Sequence, residues 1–406
     1  MKRKRFSAGI PLLCALTALL CASSALLLLI WSNQGDSTQT EPEISYSLET
    51  SSQRPESVPQ TTPTETVPDE PADPIEEMVN ALSTEQKVGQ LFLVRCPESG
   101  AEEAIRNYAF GGILLFGRDF DGESKDSMEL KTASYQSAAE IPLLIAVDEE
   151  GGTVTRVSSH TAFCSSRFSS PRELYNRGGM ELVLSEESQK AQLLQSLGIN
   201  VNLAPVCDIS TQPGAFMYQR SLGQSAEITG QFVAGAIKTM QSYGVAAVMK
   251  HFPGYGNNAD THVGTARDER SLSELEANDM QPFFDGIAAG GNAVMVSHNI
   301  VDALDSSAPA SLSYPVHHYL RMAMGFDGVI MTDDLSMEAI TQQYGAGEAA
   351  VLAVLAGNDI LCVSDYEMQY AAVLSACSSN RISEETLNQA VYHVLKWKVQ
   401  MGLINP

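Results

Sequence analysis

Tryptophan is almost missing from this chain: Trp31 and Trp397 are the only two in 406 residues, so there is no tryptophan platform on which a long polysaccharide could stack. Positive charge is scarce too. Lys and Arg number 25 against 49 acids, for a formal net charge of −24, and a folded region that acidic is a poor partner for nucleic acid or anionic lipid. No CxxC pair occurs among the seven cysteines. Cys14 and Cys21 lie in an apolar run, and the other five (Cys96, Cys164, Cys207, Cys362 and Cys377) form an odd set whose spacing suggests no disulfide framework. Long hydrophobic runs are also absent, with one exception at the N-terminus.

That exception follows "MKRKRF". Gly9 to Trp31 is a stretch of 23 residues without a charge, and about 20 apolar residues span a bilayer as a helix. Signal peptides have a shorter apolar core and a small-x-small cleavage site. Residues 1–31 therefore read as an uncleaved signal-anchor, with a removed signal peptide as the alternative. The basic cluster stays cytoplasmic and the rest of the chain lies outside. Residues 32–75, rich in Ser, Thr, Pro and Glu, bury too little apolar surface to fold and read as a disordered linker. From Asp36 to Glu77 there are eleven acids and one base. Residues 78–406 still carry a net of −18, whose simplest reading is a solvated surface.

From residue 76 a regular pattern begins. Strand-length apolar runs occur at 89–94, 111–116, 142–147, 200–206, 245–251, 293–298, 328–333 and 359–365. They are continuously apolar, as strands buried on both faces of a parallel sheet are. Helical patterns separate them, at 126–139, 183–197, 226–243, 273–289, 344–356 and 383–403, the last with Ser383 and Glu385 resembling a capping box one residue short. Eight buried strands alternating with helices predict an α/β fold: a single (β/α)8 barrel of the TIM type over 76–406, with a doubly wound open sheet as its rival. Ionisable residues gather where the runs end: Asp148-Glu149-Glu150, Asp208, Lys250-His251, His298, Asp333-Asp334 and Asp365. Barrel enzymes place their chemistry at that face.

Two of these strand ends carry the chemistry. Asp333 in "VIMTDDLSM" closes an apolar run, where a carboxylate can act as nucleophile or general base. Either Asp333 or Asp334 could instead cap the helix that follows. The second stretch, "KHFPGYGNNADTH" (250–262), places Lys250 and His251 at a strand end, where they would face a polar ligand. It then runs through a Gly-rich polar loop, expected to be mobile, to Asp260 and His262. In an extended segment those two side chains leave the same side, and a carboxylate beside an imidazole fixes its tautomer for proton transfer. The histidines lack the spacing of a zinc helix motif and no third ligand stands near, so neither metal nor cofactor is expected.

This stretch closely resembles the KHFPGxG…D-[ST]-H signature of glycoside hydrolase family 3, in its NagZ-like β-N-acetylglucosaminidase branch. The resemblance covers 76–406 through "LSTEQKVGQLF" (82–92), "GGILLFGRD" (111–119), "VDEEGGTVTRV" (147–157), "NLAPVCD" (202–208), "RSLG" (220–223), "PASLS" (309–313) and "MTDDLSM" (331–337), all in the expected order. It implies Asp333 as catalytic nucleophile and His262 with Asp260 as acid/base dyad. It also implies Asp148, Arg220, Lys250 and His251 as sugar-binding residues. The implied reaction is retaining hydrolysis of terminal β-linked N-acetylglucosamine, in an exo-acting pocket without a second domain. The expected substrates are cell-wall fragments met by a monomer tethered outside the membrane.

Three positions depart from the family pattern. Tyr255 replaces the second histidine of KHFPGHG, Asn257 replaces an acid, and Glu149 replaces the Gln of DQEGG, adding a charge beside Asp148. Arg118, Arg156 and His298 read as rim or supporting residues. Another β-glycosidase or a phosphorylase on the same fold, and a non-catalytic saccharide-binding surface protein, are the alternatives.

Overall fold

The computed structural model describes residues 73–262 and 264–406. The signal-anchor reading of 1–31 and all but the end of the linker lie outside these residues. Among the described residues no helix is long and apolar enough to cross a membrane. Helical structure is already present ahead of the expected boundary at 76: Asp73 caps the helix Pro74–Ala81 by accepting the Ile75 amide at 2.8 Å.

The strands are β1 (Phe92–Arg95), β2 (Gly112–Leu115), β3 (Leu144–Val147), β4 (Val201–Asn202), β5 (Ala246–Ala247), β6 (Met249–Phe252), β7 (Arg267–Asp268), β8 (Ala293–Val296), β9 (Ile300–Val301), β10 (Val329–Thr332) and β11 (Leu361–Val363). Two parallel sheets run in the orders β11-β1-β2-β3-β4-β5 and β10-β8-β6. Only Val248 separates β5 from β6, and a parallel bridge from Met331 to Ile360 joins the β10 and β11 segments. Neighbours in space follow one another in sequence, without the order reversal of a doubly wound sheet.

The continuous apolar runs have a direct physical reason. Leu93, Leu114, Leu144, Ala146, Val248, Met295, Met331 and Cys362 form one buried cluster between the strands. Their chain neighbours Val94, Ile113, Ile145, Val147, Met249, Val296, Ile330 and Leu361 belong to a second one that includes helix residues. The strands that contribute to both clusters are thus apolar on both faces, and alternation disappears from their sequence. All five cysteines of the folded region are unbridged.

Some elements differ from the sequence pattern. The helix expected at 273–289 is two, Leu272–Ala277 and Gln281–Ala288, because Pro282 fits only the first turn of a new helix. The helix Pro171–Ser196 bends at Gly178-Gly179, which leave helical geometry. Ser383 caps the last helix, Glu384–Gln400, through the Thr386 amide rather than in a reciprocal box with Glu385. The β7–β9 pair, two residues a side, left no apolar run to find.

The final helix buries Lys398, whose ammonium donates to Gln90 Oε1 at 2.7 Å. Burial lowers its pKa to about 7. Below that value Lys398 is charged in both states and the burial cost is fully present. Between about 7 and the unfolded value near 10.4 the folded state has shed the proton and the unfolded state has not, so stability rises with pH. Equilibrium urea unfolding should show Lys398→Met more stable than the parent at pH 6. The advantage should shrink by about 2 kcal/mol at pH 9; a gap independent of pH would contradict the buried-ammonium account.

Candidate active site

A cavity of about 320 Å3 opens among the carboxyl ends of the strands. Asp148, Arg220, Lys250, His251, His262 and Asp333 all line it, with Leu114, Phe116, Leu203, Met295 and Cys362 among its apolar walls. The seventh sequence candidate, Asp260, stands behind His262 and contacts its ring.

Lys250 and His251 are consecutive, so simple alternation would send their side chains to opposite faces of β6. The pairing with β8 explains how both reach the cavity: Lys250 sits opposite Met295 and Phe252 opposite Val296, and the register skips His251. This irregularity re-aims one side chain, as bulges do beside active sites.

The Lys250 ammonium lies 2.5 Å from Asp148 Oδ1 and 2.6 Å from Glu150 Oε1. Arg220 grips Glu150 with two donors, at 2.9 and 2.6 Å. Glu150 is thus the buried hub of the site. Its burial opposes ionisation, but Arg220 and Lys250 outweigh it and hold the carboxyl well below the usual range. Burial likewise opposes the Lys250 charge, and Asp148 and Glu150 reverse the balance and raise its pKa. Asp208 has a second organising role. Its Oδ2 receives His251 Nδ1 at 2.8 Å and the His251 amide at 3.1 Å, and its Oδ1 receives the Tyr255 amide at 2.7 Å. With Nδ1 so engaged, His251 Nε2 lies 3.2 Å from Arg220 Nη2. Glu150 and Asp208 were visible as acids at strand ends, but nothing in the sequence tells a residue that holds the ligands from one that meets the substrate.

The two aspartates after β10 divide their tasks. Asp334 accepts the Ser336 amide at 2.9 Å and the Ser364 hydroxyl at 3.2 Å. It closes a turn ahead of the short helix Glu338–Thr341 rather than capping it. Among the described residues Asp333 accepts only the Asp334 amide, at 2.8 Å, and it otherwise faces the cavity. Burial raises its pKa, yet His251, His298 and the Asp334 amide prevail and keep it below the ordinary value. Asp333 is therefore held as an anion, the form in which a carboxylate can act as a nucleophile.

Asp260 Oδ1 accepts both Nδ1 of His262, at 2.7 Å, and its backbone amide, at 2.9 Å. A tight turn makes this pairing, not the extended segment expected from the i, i+2 spacing. The consequence for chemistry is unchanged, because Nδ1 carries a proton and Nε2 is left to give and take one. Phe216 packs against the His262 ring at 5.7 Å.

The departures each have a local explanation. Glu149 points away from the cavity: Oε2 receives the Arg156 and Val157 amides at 2.7 Å each, and Oε1 receives the Ser158 hydroxyl. Asn257 Oδ1 accepts the Ser210 hydroxyl and the Thr211 and Gln212 amides at 3.1 to 3.2 Å. Tyr255 is buried and its hydroxyl bonds that of Thr261. Among the supporting residues, Arg118 is tied to Glu98 and the Cys96 carbonyl. His298 is buried between the Ser311 hydroxyl and the Asp334 carbonyl. Arg156 does line the cavity, 3.5 Å from Asp148 and over the Phe116 ring. Among the described residues no group of acids, histidines and cysteines could hold a metal ion.

The geometry can be set beside known proteins. The family model described as "Glycosyl hydrolase family 3 N terminal domain" matches residues 83–397. A beta-hexosaminidase of Tolumonas auensis is 35% identical over 277 residues, covering 67% of this chain and 80% of its own. Beta-hexosaminidase A of Pseudoalteromonas piscicida is 28% identical over 327 residues, and the match covers 74% of this chain but only 55% of that protein. Among solved structures, a glycoside hydrolase family 3 beta-N-acetylglucosaminidase from Paenibacillus sp. str. FPU-7 superposes with a TM-score of 0.74 and 35% identity, over 80% of this chain and 64% of its own. The family model spans most of the chain and takes in every candidate residue of the cavity. The chain therefore belongs to glycosyl hydrolase family 3 and is a glycoside hydrolase.

Proposed function

We propose that this protein is a retaining exo-β-N-acetylglucosaminidase built on a (β/α)8 barrel, releasing terminal β-linked N-acetylglucosamine from peptidoglycan-derived saccharides. One observation carries the proposal: Asp333 and a His262 oriented by Asp260 line the same cavity. Asp333 attacks the anomeric carbon as the glycosidic bond breaks, and His262 Nε2–H delivers its proton to the departing oxygen. The neutral imidazole then takes a proton from the water whose oxygen displaces Asp333 from the sugar. Lys250, Asp148, Arg220 and His251 hold the sugar hydroxyls before and during this exchange. The cavity is near the lower end of the roughly 300–1,000 Å3 usual for ligand pockets, which favours one terminal sugar over a long chain. The names carried by the relatives support N-acetylglucosamine as that sugar. The apolar run at 9–31 supports a membrane anchor with the catalytic domain outside the cytoplasm, where cell-wall fragments occur.

Aryl β-glycosides test the substrate and the acceptor together. The purified protein should turn over the N-acetylglucosaminide at least about tenfold faster than the glucoside, with no requirement for phosphate. It should also release N-acetylglucosamine from N-acetylglucosaminyl-N-acetylmuramic fragments. A preferred glucoside would overturn the substrate, and a sugar 1-phosphate product would make the protein a phosphorylase.

A further inference from the structure

We infer that Tyr255 is a positioning residue for the proton-transfer pair, fixing His262 through a hydroxyl-to-hydroxyl contact with Thr261; the inference rests on His262 being the acid/base. Thr261 is the residue between Asp260 and His262, so whatever holds Thr261 sets the origin of both side chains. It is fully buried, although His262 itself is exposed. Two contacts hold it. Its side chain meets the Tyr255 hydroxyl, and its carbonyl accepts the Ala339 amide at 3.2 Å, from the segment just beyond Asp333.

Tyr255 is itself tied to the sugar-binding side of the cavity. Its amide donates to Asp208, the carboxylate that also orients His251, and its ring meets the His251 ring edge-on with centroids 5.3 Å apart. Phe216 packs against Tyr255 at 5.6 Å and against His262 at 5.7 Å, with the Arg220 guanidinium 5.2 Å from the Phe216 ring. The chain of contacts therefore runs from Asp208 and His251 through Tyr255 to Thr261 and the dyad. Burial, and then the Asp333 charge, raise the Tyr255 pKa, so this hydroxyl keeps its proton across the working range and can always donate. The family's usual histidine at this position would titrate near neutrality. A tyrosine makes the tie insensitive to pH.

Leaving-group dependence separates positioning of an acid from general damage. A phenyl β-N-acetylglucosaminide needs a proton at its departing oxygen; a 2,4-dinitrophenyl one departs as the anion. In kcat/KM, which reports formation of the glycosyl-enzyme, Tyr255→Phe should lose about tenfold on the phenyl substrate and less than about twofold on the dinitrophenyl one. Thr261→Val should show the same pattern, Thr261→Ser should stay near the parent, and the double variant should be no worse than either single one. Thr261→Val leaves the buried tyrosine ring in place and keeps the test valid if Tyr255→Phe melts early. Equal losses on both substrates, or none on either, would overturn the positioning role. His262→Ala is the control for the underlying reading. If it too loses equally on both substrates, the acid/base assignment fails first, whatever Tyr255 does.

Discussion

Asp333→Asn is expected to cut kcat by at least about a thousandfold, with no comparable change in substrate affinity. The substitution keeps the shape of the side chain and its contact with the Asp334 amide, and removes only the charge of the proposed nucleophile. Asp333 is held ionised against its own burial by His251, His298 and the Asp334 amide, so the parent should keep this proposed nucleophile charged down to pH values below the ordinary carboxylate range. Asp333→Ala offers a sharper reading. Azide can enter the face vacated by the carboxylate and should yield the α-glycosyl azide from a β-substrate. Unaltered turnover in Asp333→Asn, or a β-azide from Asp333→Ala, would remove Asp333 from the reaction.

Glu150→Gln is expected to have the largest effect on stability, about 3–5 kcal/mol. The carboxylate lies between two buried cations, 2.6 Å from Lys250 Nζ and 2.6 Å from Arg220 Nη2. The amide cannot neutralise either one, and Asp148 alone remains as an anion beside Lys250. The pH dependence has a definite sign. Glu150 has a lowered pKa in the folded state, so its contribution is fully present above the unfolded glutamate value near 4.3 and is lost as pH falls toward the folded value. The gap in urea midpoint between parent and variant should be widest near neutrality and should narrow below about pH 4. A gap that is small at pH 7 would mean that Lys250 and Arg220 find other partners. Michaelis constants should rise in the same variant, because both cations line the proposed sugar site.

Much of this arrangement was legible before any coordinates. The strands could be read because both of their faces are buried, as the split between Leu93 and Val94 or Met331 and Ile330 shows. Asp148, Lys250, His251 and Asp333 could be read because each is a polar group at the end of an apolar run, whereas Arg220 rested on the family resemblance and His262 on its spacing from Asp260. What could not be read depends on contacts remote in sequence. Asp208 and His251 are 43 residues apart, and Glu150 and Arg220 are 70 apart; no local pattern announces either pair. Glu149 read as a charge added beside Asp148, yet the amides of Arg156 and Val157 absorb it. Its direction follows from the turn after β3, which spacing alone does not encode. Asp260 and His262 were paired for the wrong geometric reason, since two donors converging on one oxygen curl the chain instead of extending it.

The skipped register at His251 sets a constraint on how this pocket can change. Losing a single residue from Met249–Phe252 would restore an ordinary pleat there, and one member of the Lys250–His251 pair would swing out among the helices. Such a deletion would empty one side of the proposed sugar site, and through His251 it would reach Asp333 and the Tyr255–Thr261 contact as well. Length along this one strand is therefore as much a part of recognition as side-chain identity.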